Sequence, residues 1–123
     1  MTTNATELAE ALKGFIGTEQ WFRPVLNRHV TYTEGVKHFL DNASNGSHWL
    51  LDILVTEPAI LDQASSFAAI SLKVENDFKA VLTVTDGNSD ISVFTRRFNF
   101  TDCPVGEWKF FFTENVILLP SEY

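Results

Sequence analysis

Cysteine is nearly absent. With Cys103 alone the chain has no means of closing an internal disulfide. Its context, Asp102-Cys103-Pro104, reads as a loop holding an ordinary semi-buried thiol rather than a nucleophile. Cations are scarce as well: nine Lys and Arg stand against 16 Asp and Glu, a formal charge of −7. Neutralising phosphates takes clustered cations, and the only adjacent basic pair is Arg96-Arg97. Direct nucleic-acid binding and attachment to anionic membranes are therefore both disfavoured. Met1-Thr2-Thr3-Asn4-Ala5-Thr6-Glu7 lacks the basic start and apolar stretch of an export signal. No run of about 20 apolar residues offers a bilayer span. The expectation is a cytoplasmic protein, in which the Asn-x-Ser/Thr triplets at Asn4, Asn42, Asn45 and Asn99 are coincidental.

Catalytic signatures are missing too. There is no glycine-rich phosphate loop, no Gly-x-Ser-x-Gly elbow and no Cys-x-x-Cys. Asp86-Gly87-Asn88-Ser89-Asp90 opens like a calcium loop, but such a loop needs Gly at its sixth position and a bidentate Glu at its twelfth. Ile91 and Arg97 stand there instead, so the string reads as a hairpin turn. His29, His38 and His48 are too widely spaced for a local zinc motif. Two pairings remain as a candidate polar site: His38 with Asp41, and His48 with Asp52. Each has the spacing of an oriented general base, and equally that of a polar pair on a helix surface. With no nucleophile beside them, surface pairing is the preferred reading. The sequence assigns no catalytic residue, metal or cofactor.

What is present is core material. The 123 residues are 45% hydrophobic, with 11 Phe and 3 Trp, enough at this length to build one core without a staple. A single domain, 1–123, is expected. Asn4 and Glu7 have capping-box spacing, and Leu8, Ala11, Leu12 and Phe15 follow on one helical face. Thr31 and Glu34 repeat that spacing ahead of Val36, Phe39, Leu40 and Ala43. After the loop chemistry of Asn42 to Ser47, the run Trp49 to Val55 is nearly all apolar and favours a helix capped by Ser47. Pro58 begins another short helical turn through Leu61.

From Ala68 the period changes to two. Ala68, Ile70, Leu72 and Val74 alternate with Ala69, Ser71, Lys73 and Glu75, which predicts a half-buried strand. Further strands are predicted at Lys79 to Thr85, Ile91 to Phe100, Trp108 to Thr113 and Val116 to Leu119. The fold class is α+β: N-terminal helices packed on an antiparallel meander of four to five strands formed by the C-terminal half. Trp108, Phe110, Phe111 and Phe112 place rings on both faces of one strand, and Val116 to Leu119 is apolar on both sides. Such strands need cover on both faces. Either they form an interface, to a partner or to a second copy in a homodimer, or the segment Trp21 to Val30 wraps the second face. Arg96 and Arg97 should point to opposite faces, with a carboxylate paired to the core-facing one preferred over an anion clamp in a groove.

Several strings together resemble a known but uncharacterised family. They are Thr31-Tyr32-Thr33-Glu34-Gly35-Val36-Lys37, His48-Trp49-Leu50-Leu51-Asp52-Ile53, Leu82-Thr83-Val84-Thr85-Asp86-Gly87-Asn88, and the ending Val116-Ile117-Leu118-Leu119-Pro120-Ser121-Glu122-Tyr123. The similarity covers about Phe15 to Tyr123 and is to a domain-of-unknown-function family of small bacterial proteins associated with phages, plasmids and integrated elements. It implies no binding or catalytic residues. It does imply an accessory factor that binds an unidentified host protein, including inhibition of host defence through carboxylates that imitate phosphates. The expected function is non-enzymatic protein binding, with a ligand-binding protein or enzyme using a His–carboxylate pair as the alternative.

Overall fold

The computed structural model describes residues 5–18, 20–43, 48–88 and 91–123. Within them lie α1 (Ala5–Lys13), β1 (Thr31–Tyr32), α2 (Glu34–Asn42), α3 (His48–Thr56), α4 (Pro58–Ala64), β2 (Ala68–Val74), β3 (Ala80–Thr85), β4 (Ser92–Phe98), β5 (Gly106–Thr113) and β6 (Val116–Leu118). A 3-10 turn follows at Pro120–Glu122. The class is α+β, as the change of period from helical to alternating indicates. The proposed caps Asn4 and Ser47, the loop residues Ser44 to Ser47, and Ser89 and Asp90 of the β3–β4 turn lie outside the described residues.

Helix α2 shows how the pattern becomes packing. Val36, Phe39, Leu40 and Ala43 fall on one face and are all buried. Its cap is Thr33, whose Oγ1 accepts the Val36 N–H at 3.3 Å, rather than Thr31. Thr31 is drawn out of the helix because Thr31 and Tyr32 pair in parallel with Val116 and Ile117. Residues 121 to 123 then return to this corner. Glu122 Oε1 accepts the Thr33 hydroxyl at 2.6 Å and the Leu119 N–H at 2.9 Å. Two of the strings that carry the family resemblance, one near each end of the similarity, thus meet at a single carboxylate.

The sheet runs β1-β6-β5-β2-β3-β4, antiparallel except for β1 against β6. Only β2, β3 and β4 form a meander. The chain then crosses back to lay β5 on the other side of β2, and this corrects the continuous meander read from the sequence. The reason lies in side-chain content. β5 carries Trp108, Phe110 and Phe112, which reach full burial only centrally beneath α2, where Phe39 meets Trp108 at 5.5 Å and Phe110 at 5.0 Å between ring centroids. β4 carries two arginines, and charge suits an edge.

The second sheet face is covered locally rather than by a wrapping segment. Phe111 packs against Phe67 and Tyr123, with centroids 5.0 and 5.3 Å away. Elsewhere that face mixes small and polar groups, including Ala69, Ser71, Thr83 and Thr95, with Val81 and with Leu118 opposite Phe111. The segment Trp21 to Val30 lies instead beside β1. Phe22 exchanges both backbone hydrogen bonds with Tyr32, and Asn27 Nδ2 donates to the Val55 carbonyl.

Candidate functional site

The structure sorts the residues singled out from the sequence. Trp108, Phe110 and Phe112 belong to the core under the helices, and the Trp108 indole N–H donates to the Pro104 carbonyl at 2.8 Å. They are therefore not surface available to a partner; only Phe111 faces the other way, half-buried in its aromatic cluster. Cys103 is buried in the core, deeper than the semi-buried thiol its loop context suggested.

The polar candidates exchange partners. Asp41 does not pair with His38; it bridges Lys37 on its own helix and the His48 Nε2, 3.6 Å away on the next. His38 instead packs its ring on Phe15 at 5.4 Å and neighbours Asn42, whose amide donates to the His38 carbonyl. Sequence spacing of three or four is satisfied equally by residues on either side along a helix, so only the packing of α2 against α3 selects the pair. The Asp41 carboxylate raises the affinity of Lys37 for its proton, chiefly by accepting a hydrogen bond from the Lys37 ammonium. Lys37, Asp41 and His48 are all substantially exposed. Among the described residues, no three His, Cys, Asp or Glu side chains gather as they would around a metal ion.

A different region combines shape with chemistry. On α3, Trp49, Asp52 and Ile53 sit at i, i+3 and i+4, one face of the helix. On β4, Phe94, Arg96 and Phe98 alternate onto the helix side, opposite Val84, Leu82 and Ala80. Trp49 meets Phe98 with centroids 4.9 Å apart. Between these elements and residues 100 to 102 opens a cleft of about 530 Å³, within the range of ligand pockets. Its walls are Trp49, Ile53, Phe98 and Phe100; its polar groups are Arg96, Asp52, Thr101 and Asp102. Arg96 and Arg97 do face opposite sides, as alternation requires. Among the described residues Arg96 forms no carboxylate pair, and its guanidinium lies over the Phe98 ring, 5.3 Å from the centroid. Asp52, the lone acid in an apolar run, is exposed at the rim.

The adjoining β2–β3 turn holds backbone strain. Phe78 has φ 65°, a left-handed conformation that a bulky side chain rarely adopts. Its carbonyl accepts the Thr101 N–H at 2.8 Å, and its ring lies 6.3 Å from that of Phe100. The position is one where glycine is the unstrained choice, yet a Phe is displayed there with 49% of its surface exposed, beside a Phe100 that is 71% exposed. Strained residues of this kind gather at binding sites because the surrounding structure must hold them in place. Of these groups the sequence reading had weighed Asp52 and Arg96. Trp49, Phe98, Phe100 and Phe78 were missed, although a Phe between polar neighbours in Asn99-Phe100-Thr101, just past a strand, was a visible signal.

β4 also ends the sheet. Among the described residues its outer edge has no hydrogen-bonded neighbour. The molecule is thus an α+β domain with one helix-covered sheet face, an open edge at β4 and an aromatic cleft beside that edge. Residues 6–123 match DUF6876, a family of unknown function, and the chain belongs to that family. No curated protein and no solved structure matches it. None of its described helices is long and apolar enough to cross a membrane.

Proposed function

We propose that the chain is a non-enzymatic protein-binding domain that takes an extended segment of a partner along the edge of β4. The observation that carries this reading is the meeting of a seven-residue edge strand with an adjoining cleft. An uncovered edge offers a row of N–H and C=O groups as a template for another strand. In strand addition those main-chain bonds supply affinity, and pockets for alternate side chains supply specificity. The charge of −7 favours a basic target, since long-range attraction raises the encounter rate. The setting we propose is the cytoplasm of a bacterium hosting a phage or mobile element, with a host defence protein as the target.

Affinity capture from a host lysate tests the reading, using the wild type and Phe100→Ser at low and high salt, with mass spectrometry as the readout. Phe100 is exposed, so its truncation leaves the fold intact. A stoichiometric partner held by the wild type, and lost with Phe100→Ser and with salt, is the expected result. Equal retention by both proteins would remove the cleft and β4 from consideration. Recovery of the chain alone, at the mass of a dimer, would make a second copy the occupant of the edge.

A further inference from the structure

We propose that the β2–β3 turn, residues 75–79, and the crossover from β4 to β5, residues 99–104, open together as one strap. Strain stored in the turn keeps that strap poised to open. Such a device acts in the free chain, apart from the reading of β4 as a docking edge. Phe98 pairs with Ala80 and Gly106 with Val74, so the crossover passes the turn that joins β2 to β3. The two are fastened at Thr101, whose N–H donates to the Phe78 carbonyl at 2.8 Å. Thr101 Oγ1 accepts the Cys103 N–H at 3.2 Å, and the Trp108 indole N–H holds the Pro104 carbonyl at the far end. Because Phe100, Thr101 and Asp102 line the cleft, opening the strap takes away one of its walls.

Burial and strain both make this the weakly held end of the sheet. Every residue of the turn is exposed, and of residues 99 to 105 only Thr101 and Cys103 are buried. Two small side chains supply little apolar surface to hold a strap of that length. Regions with few buried apolar contacts open locally, at a free energy below that of global unfolding. Phe78 adds to this. Its φ of 65° is held by the bond from Thr101 and by the turn's own bonds, Phe78 N–H to the Glu75 carbonyl and Glu75 N–H to the Lys79 carbonyl. Release of those bonds frees Phe78 to leave the left-handed region, so part of their loss is recovered. Gly106, with φ 144° at the start of β5, is a hinge that tolerates the swing. The flanking strands stay in place because Val74, Ala80 and Trp108 are buried in the core.

Cys103 reports the opening, because it is the chain's single cysteine and is buried within the strap. The test is alkylation of the full chain by iodoacetamide across low urea, read by mass spectrometry, with circular dichroism following global unfolding. Labelling is expected through an opening that is more frequent and less urea-dependent than unfolding. Phe78→Gly relieves the strain and should slow labelling about threefold to tenfold. Phe78→Val puts a β-branched residue at the same φ and should speed it. Faster labelling in both variants would overturn the proposal, since the ring and not the backbone would then govern the strap. Equal rates in all three proteins would overturn it by removing the strain. Wild-type labelling that tracks circular dichroism at every urea concentration would overturn it by making the crossover part of the rigid core.

Discussion

Glu122 shows how much one side chain can hold. It fixes the cap of α2 through the Thr33 hydroxyl and the end of β6 through the Leu119 N–H. Glu122→Ala strands both donors, and the expected loss is about 1–3 kcal/mol in urea unfolding. Gly35 lies against the same corner. A Cβ there would stand 2.5 Å from Leu119 Cδ1 and 2.8 Å from Glu122 Oε1. Leu119 is buried and the carboxylate is pinned, so neither can move away freely. Gly35→Ala should therefore destabilise by about 1–3 kcal/mol, despite the gain of about 1 kcal/mol in helix propensity. A lowered thermal midpoint checks it. Tyr32 sits in the neighbouring pairing, and burial raises its pKa above the ordinary 10.0. The folded state thus holds that proton more tightly than the unfolded chain. Its contribution to stability is intact below pH 10.0 and is lost as pH rises through the raised value. Lys37 is shifted the same way but is largely exposed, so its share is small. Urea midpoints should fall in alkali, and Tyr32→Phe should flatten that fall.

At the level of elements, the turns carry the clearest consequences. Thr113 and Val116 are paired, and the two residues between them, Glu114 and Asn115, have φ 52° and 64°. This is the two-residue hairpin that prefers Asn-Gly. The double change Glu114→Asn with Asn115→Gly relieves left-handed strain at no packing cost. It should raise stability by about 1 kcal/mol, read from the denaturation midpoint. The β2–β3 turn poses the opposite case. Phe78→Gly removes similar strain, so the variant should be at least nearly as stable as the wild type. If the ring is displayed for binding, the same variant should bind partner more weakly. Stability and binding that fall together would mark the ring as a packing group only.

For the whole molecule, the buried side chains of the helices and both halves of the sheet form one continuous core. Unfolding should therefore be a single transition, with circular dichroism and tryptophan fluorescence coinciding. Phe39→Ala, at the contact of α2 with β5, should lower both by the same amount, about 3–5 kcal/mol. Divergence of the two probes would show units that fold separately. Charge acts at this scale as well. Association with a basic partner should weaken steeply with salt, because the −7 is spread over the chain rather than confined to the cleft.

The local facts were legible because they are set by neighbours along the chain. The stripe of Val36, Phe39, Leu40 and Ala43 dictates a helix and its buried face, and the alternation from Ala68 to Val74 dictates a half-buried strand. Membership of the family was legible as well, since the match runs along residues 6–123 of the sequence itself. What the tertiary structure alone decided is which elements lie side by side. Thr31 is a strand residue only because Val116 arrives beside it, and β5 leaves the meander only because its rings find α2. Asp41 takes His48 over His38 through the approach of two helices. Trp49 and Phe98, 49 positions apart in the chain, form the wall of a cleft. Hydrophobic pattern specifies which face is buried, but burial is indifferent to its partner until shape and charge across the interface distinguish one neighbour from another.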